Sequence, residues 1–455
     1  MSDSIPRLMY EARQVRKHGT WERARRRRFA EIVAYARARS PYYRDLYAGL
    51  PPDVDDPAAL PVTGKNELMA HYDTWATDRS VTHADVSAFV ADPARIGDRY
   101  LGRYLVVTTS GTTGHPGVFV KDAHDIAVNG ALSAAMMMSW LGAGDVARIA
   151  AQAGRMAIVA ATNGHFLVSA GAARMSGGRL RRRTIRLFSV HTPLPELVEE
   201  LNRFRPALLL GYGSLLRMLA AEQEAGRLRI APVLVEPAGE TLSADDHARM
   251  AGAFGAKVRD TYGASECPYL TGGCAHGWYH VNEDWAVLEP VEADGTPTPP
   301  GRPSHTVLIS NLANRVQPIL RYDLGDSVVR RPDPCPCGSP MAAVRVRGRR
   351  ANVLTFAAGD GPVTIAPMLL DTLVDLLPGV EQYQIVQTGP ARLRVRLRVA
   401  PDADTDGVWR GVRAGIGGLF GEHGLAHVTL ERAEEPPEQS PGGKFRSVIP
   451  LEEPT

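Results

Sequence analysis

The pattern of apolar and polar positions changes twice along the chain. Within WERARRRRFAEIVAYARA, the apolar residues Trp21, Phe29, Ile32 and Tyr35 could share one face of a helix, so the first 60 residues are predicted to be mainly helical. The run Arg25–Arg28 lies in the same pattern and is interpreted as a solvated helix face rather than a polyanion site. The prolines of PPDVDDPAALPVTGK then indicate a turn-rich linker.

From Tyr104 onward, short β-branched runs alternate with Ala- and Leu-rich stretches. Strands are predicted at YLVVTT, MAIVAAT and PALLLGY, and the helices that follow them at AHDIAVNGALSAAMMMSWL, TPLPELVEELNRF and GSLLRMLAAEQEAG. This alternation predicts βαβ units around a mostly parallel sheet. Residues 285–330, which include HTVLISNL and ILRYDLGD, are predicted to form a β-rich subdomain.

A second unit is predicted after the basic segment Arg345–Arg350. It combines the helix candidate APMLLDTLVDLLPG, the strands EQYQIVQ and ARLRVRLRVAP, a further helix and a Pro/Gly-rich tail. We therefore expect an α/β protein with a large N-terminal domain at residues 1–347 and a hinge at 348–352. A small, mobile α+β domain is expected at residues 353–455.

Charge and cysteine content narrow the range of functions. The 455 residues contain 52 Lys and Arg against 50 Asp and Glu, which gives no argument for a nucleic-acid or membrane partner. No apolar run approaches the ~20 residues needed to span a bilayer, and MSDSIPRLMYEARQ lacks the apolar core of a signal peptide. A cytoplasmic location is expected. The four cysteines argue against a disulfide-built fold and indicate thiol or metal chemistry.

The loop TTSGTTGHP, which follows the strand YLVVTT, is the first candidate for chemistry. Its glycines let backbone N–H groups turn toward an anion, and its hydroxyls add further donors. It lacks the Lys-Ser/Thr ending of a Walker loop, so it is not a standard P-loop. The alternative is a polar turn between a strand and a helix. The candidate phosphate-binding residues are Thr108, Thr109, Ser110, Gly111, Thr112, Thr113 and Gly114.

Five segments in order resemble motifs of the adenylate-forming superfamily, which contains acyl- and aryl-CoA ligases, luciferases and peptide-synthetase adenylation domains. The segments are TTSGTTGHP, YGASE, RYDLGD, the Gly348-Arg349 pair and PGGK. Within the superfamily the chain is most similar to the phenylacetate-CoA ligase branch, because it is short and contains ARARSPYYRDLY, LLLGYGSLLRMLA, CAHGWYHVNED and CPCG.

The resemblance implies an ATP-dependent enzyme in which a carboxylate attacks the α-phosphorus of ATP and expels pyrophosphate. Both reactants are anionic, so catalysis must come mainly from charge neutralisation and alignment. Lys444 is implied to stabilise the transition state, with Thr109 in the phosphate loop, and Glu266 to help bind Mg²⁺. The alternatives are a solvated tail lysine and a surface glutamate.

The remaining nucleotide contacts are also implied by the resemblance. Asp326 would accept hydrogen bonds from the ribose hydroxyls, and the alternative is an Asp in a tight turn. Arg349 would contact ribose or phosphate, although it lies among other arginines. Adenine and further ATP contacts are assigned to Ala238, Gly239, Glu240, Thr261 and Tyr262.

The resemblance assigns the acid pocket to residues of the LLLGYGSLLRMLA and YGASE segments. The residues are Tyr212, Gly213, Tyr262, Gly263 and Ala264. The two tyrosines could equally be core residues. Their matches in this branch face the acyl group, which favours an aromatic acid as substrate.

Four residues have the composition of a closed zinc site. Cys274, His280, Cys335 and Cys337 supply three thiols and one imidazole, a set that can bind zinc tetrahedrally. Some members of the branch carry this pattern around a zinc. The alternative is reduced, unbridged cysteines in a turn. Cys267 is left over, either as a small residue near the substrate or as a substitute ligand.

The hinge motif departs from the family. Its fourth position is usually Asp and is Ala351 here, and TFAAGDGPVTIAPMLLDTL lacks the usual Ile-Glu ending. CoA is therefore in doubt as the acceptor. Three functions stay open: an acid–CoA ligase, an adenylate ligase that forms an amide or ester in secondary metabolism, and a non-catalytic nucleotide-binding scaffold. The expected partners are a small-molecule acid and acceptor, and the chain is expected to be a monomer or homodimer.

Overall fold

The computed structural model describes residues 4–109, 117–162, 164–175, 181–240, 242–349, 354–358, 361–365, 370, 373–374, 377–438 and 445–451. Within it the chain divides into two compact units. The large unit contains residues 1–324 and 328–346, and the small unit contains residues 325–327 and 347–455.

Helices dominate the start of the large unit, as the apolar spacing predicts. They are α1 (Ile5–Lys17), α2 (Trp21–Arg39), α3 (Pro41–Leu46), α4 (Lys65–Ala70), α5 (Tyr72–Trp75) and α6 (His83–Val90). Phe29 and Ile32 are buried on the inner face of α2, while Trp21 and Tyr35 are half-buried beside them. Helix α3 begins at a proline after Ser40, whose hydroxyl accepts the Tyr43 N–H.

The arginine run of α2 is not entirely a solvated face, and that interpretation was wrong for Arg28. Its guanidinium carbon lies 3.6 Å from the centroid of the Trp285 ring, and Nη1 donates to the Asp284 carbonyl. Arg25 donates to Glu283 at 2.7 Å. A guanidinium can be buried in this way because it stacks on an aromatic face while its N–H groups still find acceptors.

A short antiparallel hairpin follows the helices. It pairs β1 (Leu105–Thr108) with β2 (Val118–Lys121), in register from Leu105 opposite Lys121 to Thr108 opposite Val118. The prediction that YLVVTT is a strand of the parallel sheet is therefore wrong, because this run pairs with a second strand in a separate antiparallel sheet before the next helix. The sequence did not predict β2, because VFVK is only four residues long and is followed directly by the helix α7 (Ala123–Trp140).

A five-stranded parallel sheet confirms the predicted alternation. Its strands are β3 (Met156–Ala160), β4 (Ile185–Ser189), β5 (Leu208–Tyr212), β6 (Leu234–Ala238) and β7 (Lys257–Val258), in the order β4-β3-β5-β6-β7. The accompanying helices after α7 are α8 (Ala143–Ala151), α9 (Leu167–Met175), α10 (Arg181–Thr184), α11 (Leu194–Phe204), α12 (Gly213–Glu224) and α13 (Ala244–Phe254).

Each face of this sheet has its own apolar cluster. Alternate residues of a strand point to opposite faces, so Leu209 and Val235 pack with α11, α12 and α13. Leu208 and Leu234 pack on the other face with Met136 and Trp140 of α7. The sheet therefore lies between two layers of helices, the usual arrangement for parallel strands.

The β-rich part of the chain forms two further sheets. The strands are β8 (Thr271–Gly273), β9 (Tyr279–Val281), β10 (Ala286–Val291), β11 (Thr306–Asn311), β12 (Ile319–Asp323), β13 (Asp326–Arg330) and β14 (Ala343–Arg349). Strands β10, β11 and β12 form an antiparallel sheet, and β13, β14, β9 and β8 form the other.

The small unit has its own core. Its elements are β15 (Leu354–Ala358), β16 (Gly361–Ile365), β17 (Val380–Gly389), β18 (Arg392–Val399), α14 (Thr405–Glu422), β19 (Thr429–Arg432) and β20 (Val448–Ile449). Phe356, Ile385, Val395, Ile416 and Phe420 pack together in that core. Most of the helix candidate APMLLDTLVDLLPG lies outside the described residues.

Among the described residues, no single helix is long and apolar enough to cross a bilayer. The bent pair Ala123–Trp140 and Ala143–Ala151 is long and apolar enough only when its two helices are taken together, and they meet at 107°.

Candidate active site

The predicted phosphate loop leaves the tip of the β1–β2 hairpin. The Thr109 N–H donates to the Gly117 carbonyl at 2.9 Å, and the Gly117 N–H donates to Thr109 Oγ1 at 2.8 Å. Thr108 and Thr109 are half-buried at this base. Ser110, Gly111, Thr112, Thr113 and Gly114 lie outside the described residues. The candidate loop therefore connects two paired strands, β1 and β2, rather than a strand and a helix.

Glu266 is buried, with 5% of its surface exposed. The Tyr322 hydroxyl donates to Glu266 Oε1 at 2.8 Å. The backbone carbonyl of Glu266 accepts from Lys121 Nζ at 2.9 Å and from Asn311 Nδ2 at 3.0 Å. Both the carboxylate and the backbone of this residue are therefore held in place, so Glu266 is not a surface loop residue.

The lysine that contacts Glu266 belongs to a buried polar network that sequence reasoning missed. Lys121 and Asp125 are each only 2% exposed, and Lys121 Nζ lies 3.8 Å from Asp125 Oδ2. Asn311 Nδ2 donates to Asp125 Oδ1 at 3.1 Å. Burial raises the pKa of Asp125, and Lys121 opposes that shift. The only signal in the sequence was the Lys-x-x-x-Asp spacing across the start of α7.

The YGASE segment folds into a tight turn. The Ala264 N–H donates to the Cys267 carbonyl at 3.2 Å, and the Cys267 N–H donates to the Ala264 carbonyl at 3.0 Å. A Cβ on Gly263 would lie 2.0 Å from the Pro268 carbonyl oxygen, so only glycine fits there. Tyr262 is anchored by Thr271, whose hydroxyl donates to its carbonyl at 2.8 Å.

Cys267 follows Glu266 but lies apart from the other cysteines. It is buried in the main apolar cluster of the large unit, and burial raises the pKa of its thiol to about 12. A thiol with that pKa stays protonated at neutral pH and makes a poor metal ligand. This argues against Cys267 as a substitute ligand.

The predicted adenine segment lies at the carboxyl edge of the parallel sheet. Tyr212 and Ala238 are register neighbours at the ends of β5 and β6. Gly239 follows with φ of +76°, a conformation that favours glycine. The Glu240 carboxylate accepts the Ser214 N–H at 2.6 Å and thereby caps the start of α12.

Tyr212 and Gly213 pack closely at the same edge. Tyr212 is 4% exposed and belongs to the apolar cluster with Leu215 and Leu216, and burial raises its pKa. A Cβ on Gly213 would lie 2.8 Å from Leu242 Cδ2. The core interpretation of Tyr212 therefore has direct support in the packing.

Asp260 lies just before Thr261 and Tyr262 and was not singled out in the sequence. Its Oδ2 accepts from the Tyr279 hydroxyl at 2.6 Å and lies 3.1 Å from His247 Nε2. This contact raises the pKa of His247. Thr261 is half-buried, and the Tyr262 and Tyr279 rings stand 6.3 Å apart between centroids.

The remaining predicted nucleotide residues lie near the end of the β-rich part. Asp326 is 4% exposed and begins β13, directly after Gly325 with φ of +71°. Arg349 is the last residue of β14, after Gly348 with φ of +119°; its side chain is not described. Ala351 and Lys444 lie outside the described residues.

The four predicted zinc ligands are brought together. Their ligand atoms all lie within 4.8 Å of one another. The Cys274 and Cys335 sulfurs are 3.8 Å apart, and Cys337 Sγ lies 3.1 Å from His280 Nε2. His280 Nδ1 lies 3.0 Å from the Met341 carbonyl, which orients Nε2 toward the sulfurs. Thiolates bound tetrahedrally to zinc at ~2.3 Å would stand about 3.8 Å apart, so the donor set fits zinc.

No protein-family model matches the chain, and no curated protein matches it. Among solved structures, 2-hydroxyisobutyryl-CoA ligase in the postadenylation state, with R3-HIB-AMP bound, superimposes with a TM-score of 0.65 at 19% identity. That alignment covers 94% of this chain and 89% of the ligase.

Two further structures agree. An anthranilate CoA ligase in complex with anthranoyl-AMP gives a TM-score of 0.50 at 15% identity, covering 75% of this chain and 64% of its own. Acetoacetyl-CoA synthetase from Streptomyces lividans gives 0.50 at 16% identity, covering 75% and 54%. The chain has the adenylate-forming ligase fold. This confirms the predicted fold class, and in an adenylate-forming ligase fold the function must still be argued from the site.

Proposed function

We propose that the protein activates a carboxylic acid as its acyl-adenylate, releases pyrophosphate, and transfers the acyl group to an acceptor. The observation that carries this proposal is the link between the hairpin and the Glu266 turn. Lys121 is the last residue of β2, at the end of the hairpin away from the hydroxyl-rich loop. Its Nζ donates to the Glu266 carbonyl at 2.9 Å. A structural connection of this kind supports one site for the phosphates and their cation.

The proposed chemistry assigns a role to each part of this site. Thr108, Thr109 and the loop after them would hold the β- and γ-phosphates through hydroxyl and backbone donors. Glu266 would bind Mg²⁺, which prefers oxygen ligands and neutralises phosphate charge. Its buried carboxylate, oriented by Tyr322, suits that role because little freedom is lost when the cation binds.

The nucleoside would lie at the carboxyl edge of the parallel sheet, where ligands of open α/β sheets bind. Ala238, Gly239 and Glu240 would contact adenine there, beside Thr261 and Tyr262. Asp326 would accept both ribose hydroxyls, and Arg349 would contact ribose or phosphate. Lys444 would contribute a mobile ammonium from the small domain, joined at the hinge 348–352.

The acceptor is an amine or hydroxyl of a small molecule, or the thiol of CoA. Ala351 in place of the hinge Asp argues against CoA. The three solved structures described above are CoA ligases or synthetases, and this supports an aryl- or acyl-CoA ligase as the second candidate. An aromatic acid is the proposed substrate class.

Pyrophosphate release with a panel of aromatic and aliphatic acids, ATP and Mg²⁺ tests the activity. We expect release that depends on one class of acid. Adding CoA, and separately a set of amines and alcohols, with mass detection of the products, identifies the acceptor. If no acid stimulates release above the rate without acid, the chain is a nucleotide-binding scaffold and the proposal is wrong.

We also propose that Cys274, His280, Cys335 and Cys337 hold a structural zinc ion. All four positions of a tetrahedral site would be filled by protein, so no position remains open for substrate. Trp278 packs beside Cys274 and Cys335, with the guanidinium carbons of Arg331 and Arg345 at 4.9 and 4.2 Å from its ring centroid. The zinc would stabilise the turn-rich segments around this small apolar cluster.

Replacing Cys337 with serine is expected to remove most of the zinc from purified protein, because serine is a much weaker ligand than thiolate. Elemental analysis should find about one zinc per chain in the wild type. Cys267→Ser is the matched control and should retain it. Equal zinc content in the two variants, or none in the wild type, would contradict the assignment.

A further inference from the structure

One face of the two inner strands β5 and β6 is incompletely covered. Leu210 and Glu236 are register neighbours, so their side chains point to the same face, and Ala238 follows two residues later on that face. All three are partly exposed, although β5 and β6 each have a strand on both sides. Partial exposure in the middle of a sheet between two helical layers indicates a crevice at that face.

The walls of this crevice are mainly apolar. Met136 and Met137 of α7, Ile158 of β3 and Tyr269 pack on the same face as Leu210. Burial raises the pKa of Tyr269 to about 12, with the Glu236 charge adding to the shift. The crevice is therefore lined by apolar and aromatic side chains, with Glu236 as an acidic residue on the same face.

Glu236 is the exception in these surroundings. Among the residues that the structure describes, none forms a hydrogen bond or an ion pair with its carboxyl group. Burial, with a contribution from the Asp260 charge, raises the pKa of Glu236 to about 7. The Glu236 carboxyl group therefore keeps unused hydrogen-bonding capacity at a partly exposed position, and carboxyl groups whose pKa is raised by desolvation and a nearby charge are concentrated at functional sites.

We propose that this crevice receives the end of the acid substrate remote from its carboxylate, and that Glu236 there accepts a hydrogen bond from a primary amino group. The inference rests on the proposed function and names its substrate class: an amine-bearing carboxylic acid. Ala238, Gly239 and Glu240 lie further toward the edge of the sheet, where the nucleotide is proposed to bind. The reacting carboxylate would lie at that edge and the amino group deeper, at Glu236.

The charge around the crevice favours an amine over other polar groups. A carboxylate accepts hydrogen bonds and attracts positive charge, and both effects are stronger away from water. Asp260, held by His247 and Tyr279, adds a second negative charge. A substrate carrying a second carboxylate in this position would be repelled by both residues.

Matched pairs of acids provide the test. Each pair consists of an aminobenzoate and the methylbenzoate of the same ring position, together with aliphatic ω-amino acids and their methyl counterparts. For at least one pair we expect wild-type kcat/KM for pyrophosphate release to favour the amine by ~100-fold or more, because a site built for a hydrogen bond rejects the analogue that lacks it.

Three variants distinguish a change in substrate specificity from a general loss of activity. Glu236→Leu should reverse the preference, so that the methyl acid becomes the better substrate, and Glu236→Gln should retain a reduced preference for the amine. Glu289→Leu is the control. Glu289 is also a half-buried glutamate with its pKa raised to about 7, but it lies 3.6 Å from Arg321 and should leave the ratio unchanged.

A measurement without substrate checks that Glu236 has no structural role. Removing a carboxyl group that lacks a protein partner should leave the Tm of Glu236→Leu unchanged or raise it, whereas Glu289→Leu should lower it. Pyrophosphate release with amine-to-methyl ratios near one in every pair would overturn this inference alone, and so would a large drop in Tm for Glu236→Leu. No release with any acid would overturn the proposed function as well.

Discussion

Replacing Lys444 with alanine is expected to slow acyl-adenylate formation by at least ~100-fold, the usual loss when one donor to a developing charge is removed. The lysine would place a compact positive charge between the carboxylate and the α-phosphate. Because this contact is made mainly in the transition state, ATP affinity should change little. Single-turnover pyrophosphate release and equilibrium binding of ATP measure the two quantities separately.

Lys257→Ala is a suitable control for that variant. Lys257 is a partly exposed lysine of the large unit, and its Nζ lies 2.6 Å from Asp145. Its replacement should leave the rate of adenylation near the wild-type value. If Lys444→Ala is folded and still forms the acyl-adenylate at a near-normal rate, Lys444 does not stabilise the transition state.

The largest expected effect on stability comes from Lys121→Met. Methionine has nearly the length of lysine but lacks the ammonium, so Asp125 loses its buried cation and the Glu266 carbonyl loses one of its two donors. Breaking one side of a buried pair costs about 3–5 kcal/mol. We expect the free energy of unfolding of the large unit, measured by urea denaturation, to fall by that amount.

Two further variants give this prediction its controls. Lys257→Met breaks the more exposed pair with Asp145, whose lysine side chain is 39% exposed, and should cost ~1 kcal/mol or less. The double variant Lys121→Met with Asp125→Leu should recover much of the loss, because it removes both buried charges. A single variant at Lys121 as stable as Lys257→Met would show that the network contributes little.

The elements that could be predicted from sequence are those set by local periodicity. The strand Leu208–Tyr212 and the helix Leu194–Phe204 are apolar or amphipathic along their whole length, so their own residues identify them. The grouping of Cys274, His280, Cys335 and Cys337 was also predicted, and the structure brings their ligand atoms together. Three thiols and one imidazole suggest a shared metal site, and the resemblance to the branch supported pairing residues so far apart in the chain.

The contacts that escaped prediction depend on residues far apart in the sequence. Lys121 meets the Glu266 carbonyl 145 positions later, and Arg28 meets Asp284 256 positions later. The Lys-x-x-x-Asp spacing at Lys121 does not by itself distinguish a buried cation from a solvated one, and the local pattern around Arg28 does not do so either. Glu236 was missed for the same reason, since a glutamate in a five-residue strand gives no sign of which neighbours will surround it.

Isotope exchange between labelled pyrophosphate and ATP, measured with the wild-type protein, Mg²⁺ and a panel of acids, tests the central claim most directly. Exchange requires reversible formation of an acyl-adenylate and is independent of the identity of the acceptor. The account predicts label in ATP only when both a suitable acid and Mg²⁺ are present. Absence of exchange with every acid, from protein that still binds ATP, would contradict it.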